Sequence, residues 1–248
     1  MSKVSIICAS YNSACYLSTT INSIINQYYK DWELIIIDDC SVDNTYEIAS
    51  KFADTDSRIR ILSNNKNKGP AKTRNKGIRE AKGKYLTFID SDDLWEKDFI
   101  SKSISFLQEN NYSFCFSSYY RVDEGLDPLY TPFIVPKKVS YNDLLKTCPI
   151  SCLTAFIDIG KIGKYYMPDL KQRQDYGLWL NILKDVDFAY GIKKKLATYR
   201  IRKGSVSRNK FEAMKYVWKL YREEEGLNIV RSIYLIVIYS FNGLKKYS

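Results

Sequence analysis

Short apolar runs at residues 4–9, 34–37, 59–62 and 85–89 alternate with helical spacing at 14–27, 44–52 and 70–81, and this rhythm restricts the chain more than any other feature. Runs without polar alternation suit strands covered on both faces, and a helix between successive strands is the connection a parallel sheet requires. The reading is α/β with a mostly parallel central sheet. Pro70 suits the first turn of its helix, and Gly83 stops the chain before the next strand. Residues 97–108 predict another helix and 114–117 another strand, after which the rhythm fails. The Asp127-Pro128, Thr131-Pro132 and Val135-Pro136 steps make 123–140 read as a long excursion over the surface. Helical pattern returns at 177–183, strand pattern at 188–190 and 196–199, and long helical stretches at 208–225 and 227–246. With 248 residues, 45% of them hydrophobic, the chain can build one sizeable core. The expected division is one domain over 1–205 and a helical extension over 206–248.

Met1-Ser2-Lys3 passes directly into the first apolar run without the pattern of a secretory signal, so the expected location is the cytoplasm. The chain has no histidine, which removes the usual zinc ligand and the usual partner of a nucleophilic cysteine. Cys8, Cys15, Cys40, Cys115, Cys148 and Cys152 form no Cys-x-x-Cys pair and read as buried, reduced thiols. The formal net charge is +10, and residues 193–210 hold Lys193, Lys194, Lys195, Arg200, Arg202, Lys203, Arg208 and Lys210 with no acid among them. Nucleotide phosphates, nucleic acid and an anionic membrane all match such a cluster, and so does a solvated basic face.

Ligands of parallel α/β sheets bind at the carboxyl ends of the strands, where loops meet helix N-termini. Three polar clusters fall at such ends: Tyr11-Asn12, Asp38-Asp39 and Asp90-Ser91-Asp92-Asp93. Three carboxylates at one strand end raise one another's pKa unless a cation or hydrogen-bond donors compensate. Mn2+ or Mg2+ is the economical compensation, with Asp92 as direct ligand and Asp90 near the metal or a ribose. The competing reading has Asp93 capping a helix after Leu94 while its neighbours face water. Asp39 suits an imide N–H of a nucleotide base, while Asp43 or Asn44 caps the following helix. Arg74 either holds the donor through its planar fork or pairs with a strand-end aspartate. Asp175 opens a helical stretch, as an N-cap or, in a chain without histidine, as the base that takes a proton from an attacking hydroxyl.

Val4-Ser-Ile-Ile-Cys-Ala-Ser-Tyr-Asn12, Asp38-Asp-Cys-Ser-Val-Asp-Asn-Thr45, Gly69-Pro-Ala-Lys-Thr-Arg-Asn-Lys-Gly77, Phe88-Ile-Asp-Ser-Asp-Asp93 and Arg173-Gln-Asp-Tyr-Gly-Leu-Trp179 follow one another through about the first 180 residues. In this order they resemble the inverting glycosyltransferase family 2, whose Rossmann-like A-type domain uses nucleotide-diphosphate sugars. The resemblance implies that Ala9, Tyr11, Asp39, Arg74, Asp90, Ser91, Asp92, Arg200 and Arg202 surround the donor. It implies Asp38, Asp93 and Gln174 in support, Asp92 on the metal, and Asp175 as the general base of a direct displacement. The segment Thr198–Ser207 is similar to one that closes over the diphosphate in small bacterial polysaccharide-assembling members. Many of those carry histidine where this chain has Arg202, so Arg202 is expected on phosphate rather than metal. The Gln-x-x-Arg-Trp motif of processive synthases is absent, which points to transfer of a single sugar.

The expected donor is a UDP-sugar, with dTDP- and GDP-sugars as alternatives. The expected acceptor is a lipid-linked saccharide, on undecaprenyl diphosphate, in O-antigen, capsule or teichuronic acid synthesis. Residues 229–241 are strongly apolar but interrupted, which suits contact with an anionic membrane surface at the inner face of the cell membrane, a homodimer face, or a cover for the core. A nucleotidyltransferase would also use strand-end aspartates, but the first loop lacks its glycine-rich pattern. A nucleic-acid-binding protein would explain the charge and leave the acidic strand ends without a purpose, so no nucleic-acid partner is expected.

Overall fold

The protein, a computed structural model, is described over residues 3–202 and 210–245. Strands β1 (Val4–Ser10), β2 (Trp32–Asp38), β3 (Ile59–Ser63) and β4 (Tyr85–Asp90) lie in parallel in the order β3-β2-β1-β4. Helices α1 (Ala14–Ile25), α2 (Thr45–Thr55) and α3 (Pro70–Glu80) connect them. All of β2 is buried, as its unbroken apolar run requires. Alternate side chains serve opposite faces. Ile6, Cys8, Leu34 and Ile36 pack with α1, α2 and α4 (Phe99–Glu109), whereas Ile7, Ile35, Ile37 and Phe88 pack with α3 and α7 (Gln174–Asp185). Helix α3 comes so close that a β-carbon on Gly77 would stand 2.7 Å from Ile7 Cγ2.

Strand β1 feeds β2 on one side and lies beside β4 on the other, so the strand order reverses there and opens a crevice. The register pairs Ser10 with Asp38 and Ala9 with Asp90, which brings the three polar strand ends level.

Beyond β4 the sheet becomes mixed. It continues through β9 (Phe156–Asp158), β6 (Phe114–Val122), β10 (Ala189–Arg200) and β5 (Leu94–Trp95), with β9 antiparallel to both neighbours. Residues 123–140 are more than a surface excursion: β7 (Pro128–Phe133) pairs with β6 and β8 (Lys138–Val139) with β10. Proline cannot donate to a ladder, and β7 tolerates Pro128 and Pro132 because, among the described residues, it pairs along one side only. The two strands expected at 188–190 and 196–199 are one strand. Register shifts at Ile192/Lys195 and Lys195/Ala197 let the lysine run bulge within it.

Short helices α5 (Tyr141–Leu144) and α6 (Ile159–Ile162) precede α7. After residue 209 come α8 (Lys210–Lys219), a π-helical turn at Leu220–Glu224 where continuous α-helix was expected, and α9 (Ile229–Lys245). Val217, Leu220, Tyr221, Leu227 and Leu235 join the core layer beneath α7. All six cysteines are free, but Cys15 and Cys40 are exposed rather than buried. Cys15 lies on the outer side of the first turn of α1, and Cys40 turns outward in a left-handed loop residue with φ 65°.

Candidate active site

Side-chain hydrogen bonds lock the loops after β1 and β2 together. Asn12, at φ 47°, donates its backbone N–H to Ser41 Oγ (3.0 Å), and its Oδ1 accepts from the Val42 N–H (2.9 Å). Tyr11 is left 48% exposed at the rim. Asp38 accepts from the Ser41 N–H (3.0 Å), which shapes the same loop. Asn44 occupies the N-cap position of α2 without a side-chain cap bond. Asp43 does that work for two helices, accepting from the N–H groups of Thr45 and Ala14, both at 3.1 Å. Burial acts to raise its pKa, but the Thr45 hydroxyl and the two helix N–H groups hold the carboxyl below its usual range.

Asp39 is 4% exposed and already accepts three hydrogen bonds, from Asn64 Nδ2 (2.7 Å), the Lys68 N–H (2.9 Å) and the Gly69 N–H (2.8 Å). About one acceptor position remains for the base N–H expected of it. The observed contacts fix the loop that leads through Gly69 into α3.

The Asp90-Ser91-Asp92-Asp93 cluster is held by arginines. Arg74 Nη2 lies 2.5 Å from Asp90 Oδ1, so the strand-end pair anticipated for it forms. Arg74 is 7% exposed, and its Nε and Nη1 have no hydrogen-bond partner among the described residues. Burial would lower the pKa of this guanidinium, but Cys152, Asp90 and Asp175 around it raise it instead. The Cys152 thiol is itself pushed well up by burial and stays neutral, so the carboxylates supply the attraction. Ser91 Oγ shares a 2.7 Å hydrogen bond with Ser13 Oγ. Arg202 Nε stands 2.5 Å from Asp92 Oδ2, an ion pair whose N–H is not aligned as a hydrogen bond.

Asp93 does not cap a helix. Leu94 and Trp95 form β5, and the N-cap of α4 is Asp98. Asp93 is instead 1% exposed, with Oδ1 accepting the Arg200 backbone N–H (2.8 Å) and Oδ2 without a partner among the described residues. Burial first, then the charges of Asp92 and Asp90, pushes its pKa well above the carboxylate range. Asp92 shifts the same way through burial and Asp90, with Arg202 and Arg200 opposing.

The guanidinium carbons of Arg200 and Arg202 lie 4.7 and 5.3 Å from the centre of the Tyr16 ring, a cation–π platform. Sequence reasoning missed Tyr16, because an aromatic residue in the apolar pattern of α1 looks like core. Asn64 carried no signal either. The rest of the segment expected to close over the site, 203–207, lies outside the described residues, as do Arg208 and the side chain of Lys210.

Asp175 is not an N-cap. Arg173 takes that position in a left-handed conformation (φ 63°), which leaves Asp175 as the second residue of α7. Its charge acts on both Arg74 and Cys152, so α7 brings it to the acid–arginine cluster. Gly177 makes this placement possible, since a β-carbon there would stand 2.4 Å from Pro168 Cγ. The Tyr176 hydroxyl donates to the Leu144 carbonyl (2.8 Å) and meets the Tyr221 hydroxyl at 3.0 Å, which fixes the helix start against α5 and the π-helical turn. Gln174 is 8% exposed, with Oε1 unpaired among the described residues. Buried polar atoms without partners are rare in folded proteins. Several here surround one crevice, where an oxygen-rich anionic ligand would satisfy the arginine N–H groups.

Residues 5–157 match the family model described as glycosyl transferase family 2. The chain belongs to that family. Its relatives include TuaG of Bacillus subtilis (strain 168), named for teichuronic acid biosynthesis, at 39% identity over 98% of this chain and 96% of that protein. The Escherichia coli UDP-Glc:alpha-D-GlcNAc-diphosphoundecaprenol beta-1,3-glucosyltransferase WfgD is 36% identical over 99% of this chain and 95% of its own length. S. aureus TarS 1-349, solved in complex with UDP-GlcNAc, superposes with a TM-score of 0.73 over 94% of this chain and 70% of that chain, at 21% identity. The A-type fold expected of a family 2 glycosyltransferase is therefore the fold observed. Nucleotidyl transfer is set aside as a reading of the acidic strand ends.

Proposed function

We propose that this glycosyltransferase works from the cytoplasm at the inner face of the cell membrane. In this reading it moves one sugar, with inversion and with Mn2+ or Mg2+, from a UDP-sugar to a hydroxyl of an undecaprenyl-diphosphate-linked saccharide during cell-envelope polysaccharide synthesis. The observation that carries it is the meeting of Asp90, Asp92 and Asp93 with Arg74, Arg200 and Arg202 at the crevice, with arginine N–H groups left unpaired among the described residues. WfgD, similar over nearly its whole length, is named for that donor and acceptor class.

The acid cluster fits a hard divalent cation. Burial and mutual repulsion disfavour charge on Asp92, and a cation would relieve both. No group of three potential ligands occurs among the described residues, so Asp92 and Asp90 would hold the ion together with substrate phosphate oxygens. Bound there, it would neutralise charge on the departing diphosphate. Arg202 would exchange Asp92 for a phosphate oxygen, and Arg74 and Arg200 would offer their free N–H groups to the same diphosphate. Gln174 Oε1 would accept from a sugar hydroxyl. Asp175 would take the acceptor's proton as its oxygen attacks the anomeric carbon from the side opposite the diphosphate.

Calorimetric titration of UDP with Mn2+ present tests the assignment. Wild type should bind only with the metal, Asp92→Ala should lose binding at least about tenfold, and Asp175→Asn should bind UDP normally while transfer falls by about 10²–10⁴-fold. UDP binding that ignores both the metal and Asp92→Ala would remove the metal from the reading. Binding of dTDP or GDP in place of UDP would change the donor.

A further inference from the structure

Helix α9 is apolar on both sides. Its inward side sets Ser232, Leu235, Ile236 and Tyr239 against the core. Its outward side carries Val230, Ile233, Tyr234, Val237 and Phe241, from 52% to 79% exposed. Spaced at three and four residues, these form a continuous stripe about 16 Å long. An exposed apolar stripe of that size marks an interaction surface rather than a wall facing water. No helix among the described residues is long and apolar enough to cross a membrane, so the stripe would meet a partner side-on.

Charge selects the partner. From Gly226 to Ser248 the chain has Arg231, Lys245 and Lys246 and no acid. Arg231 is exposed at the border of the stripe. The three glutamates before the helix lie beyond the Gly226 turn, and Glu223 and Glu225 are paired with Lys219 and Lys184. Two copies meeting through this face would oppose cationic helices with no carboxylate on either helix to answer them. An anionic lipid surface offers acyl chains and negative headgroups together.

We propose that the outward face of α9 lies on an anionic bilayer, with Val230, Ile233, Val237 and Phe241 at the acyl boundary and Tyr234 and Arg231 among the headgroups. The inward face of the same helix reaches the candidate base. The Tyr239 ring stacks on Tyr176 (5.8 Å between centres) and carries the Arg173 guanidinium at 6.0 Å, on either side of Gln174-Asp175. Docking would hold the start of α7 about one helix diameter, ~10 Å, from the lipid surface, where a lipid-linked acceptor would present its sugar.

The inference rests on the exposed residues and not on the donor or acceptor. Flotation of the full chain with phosphatidylcholine vesicles, with and without phosphatidylglycerol, tests it without either substrate. Wild type should float with the phosphatidylglycerol vesicles and bind about tenfold more weakly to phosphatidylcholine alone or in high salt. The double variant Val230→Glu, Val237→Glu should lose binding at least about tenfold while its melting curve and UDP titration stay unchanged. A wild type that ignores anionic vesicles overturns the proposal, as does a folded double variant that floats equally well. A wild-type dimer that the double variant splits, seen by light scattering without vesicle binding, assigns the face to a second copy instead. None of these outcomes alters the UDP titration, so this surface and the transferase reading fail separately.

Discussion

Asp93 is almost fully enclosed, has one oxygen paired with a backbone N–H and the other with no partner among the described residues, and has two more aspartates beside it. Because burial and those neighbours raise its pKa in the folded state, the folded protein holds this proton at pH values where the unfolded chain has released it. Stability therefore falls as pH rises from the ordinary carboxylate pKa of 3.8 through the raised one. Asp93→Asn keeps an acceptor for the Arg200 N–H and removes the charge. In thermal melts without nucleotide or metal, the variant should match wild type near pH 4 and exceed it by about 3 °C near pH 8. An equal or lower melting temperature at the higher pH would contradict the account. The acids at this site were legible in the sequence because they follow apolar runs whose ends must meet in a parallel sheet. Tyr16, Asn64 and the Arg202–Asp92 ion pair were not, since each depends on which loops come together.

At the level of elements, α7 owes its position to a missing side chain. Gly177 lies against Pro168 with no room for a β-carbon, and the helix start is tied down through Tyr176. Gly177→Ala forces the two apart, with an expected cost of about 1–3 kcal/mol. The melting temperature should fall, and turnover should fall with it because Asp175 moves with the helix. UDP affinity, which in the proposed reading rests on the ends of β1, β2 and β4 and on Arg74, Arg200 and Arg202, should hold. A variant that loses UDP affinity as much as turnover would show that α7 also shapes the donor site. The 123–140 segment and the lysine run at 193–195 mark the limit of local pattern. Proline and charge argue against strand, yet an edge position and a bulge admit both.

Across the whole molecule, the helices after residue 209 are part of the core and not only an appendage. Val217, Leu220, Tyr221, Leu227 and Leu235 lie buried in the layer that carries Trp179 and Tyr176. Burying such side chains contributes about 1.5–3 kcal/mol each, which together rivals the whole stability of a typical domain. A chain ending at Arg202 should therefore be insoluble or lose its cooperative thermal transition, whereas a truncated chain that melts like wild type would show the extension to be dispensable. The sequence by itself determined the parallel half of the sheet, its helices and the acidic strand ends. Those follow from residue spacing along one strand or helix, which is local information. Only the tertiary structure decided the mixed half, which aspartate Arg74 and Arg202 each meet, and the exposed outer face of α9. These depend on which side of an element meets the core, and residues far apart in the chain settle that jointly.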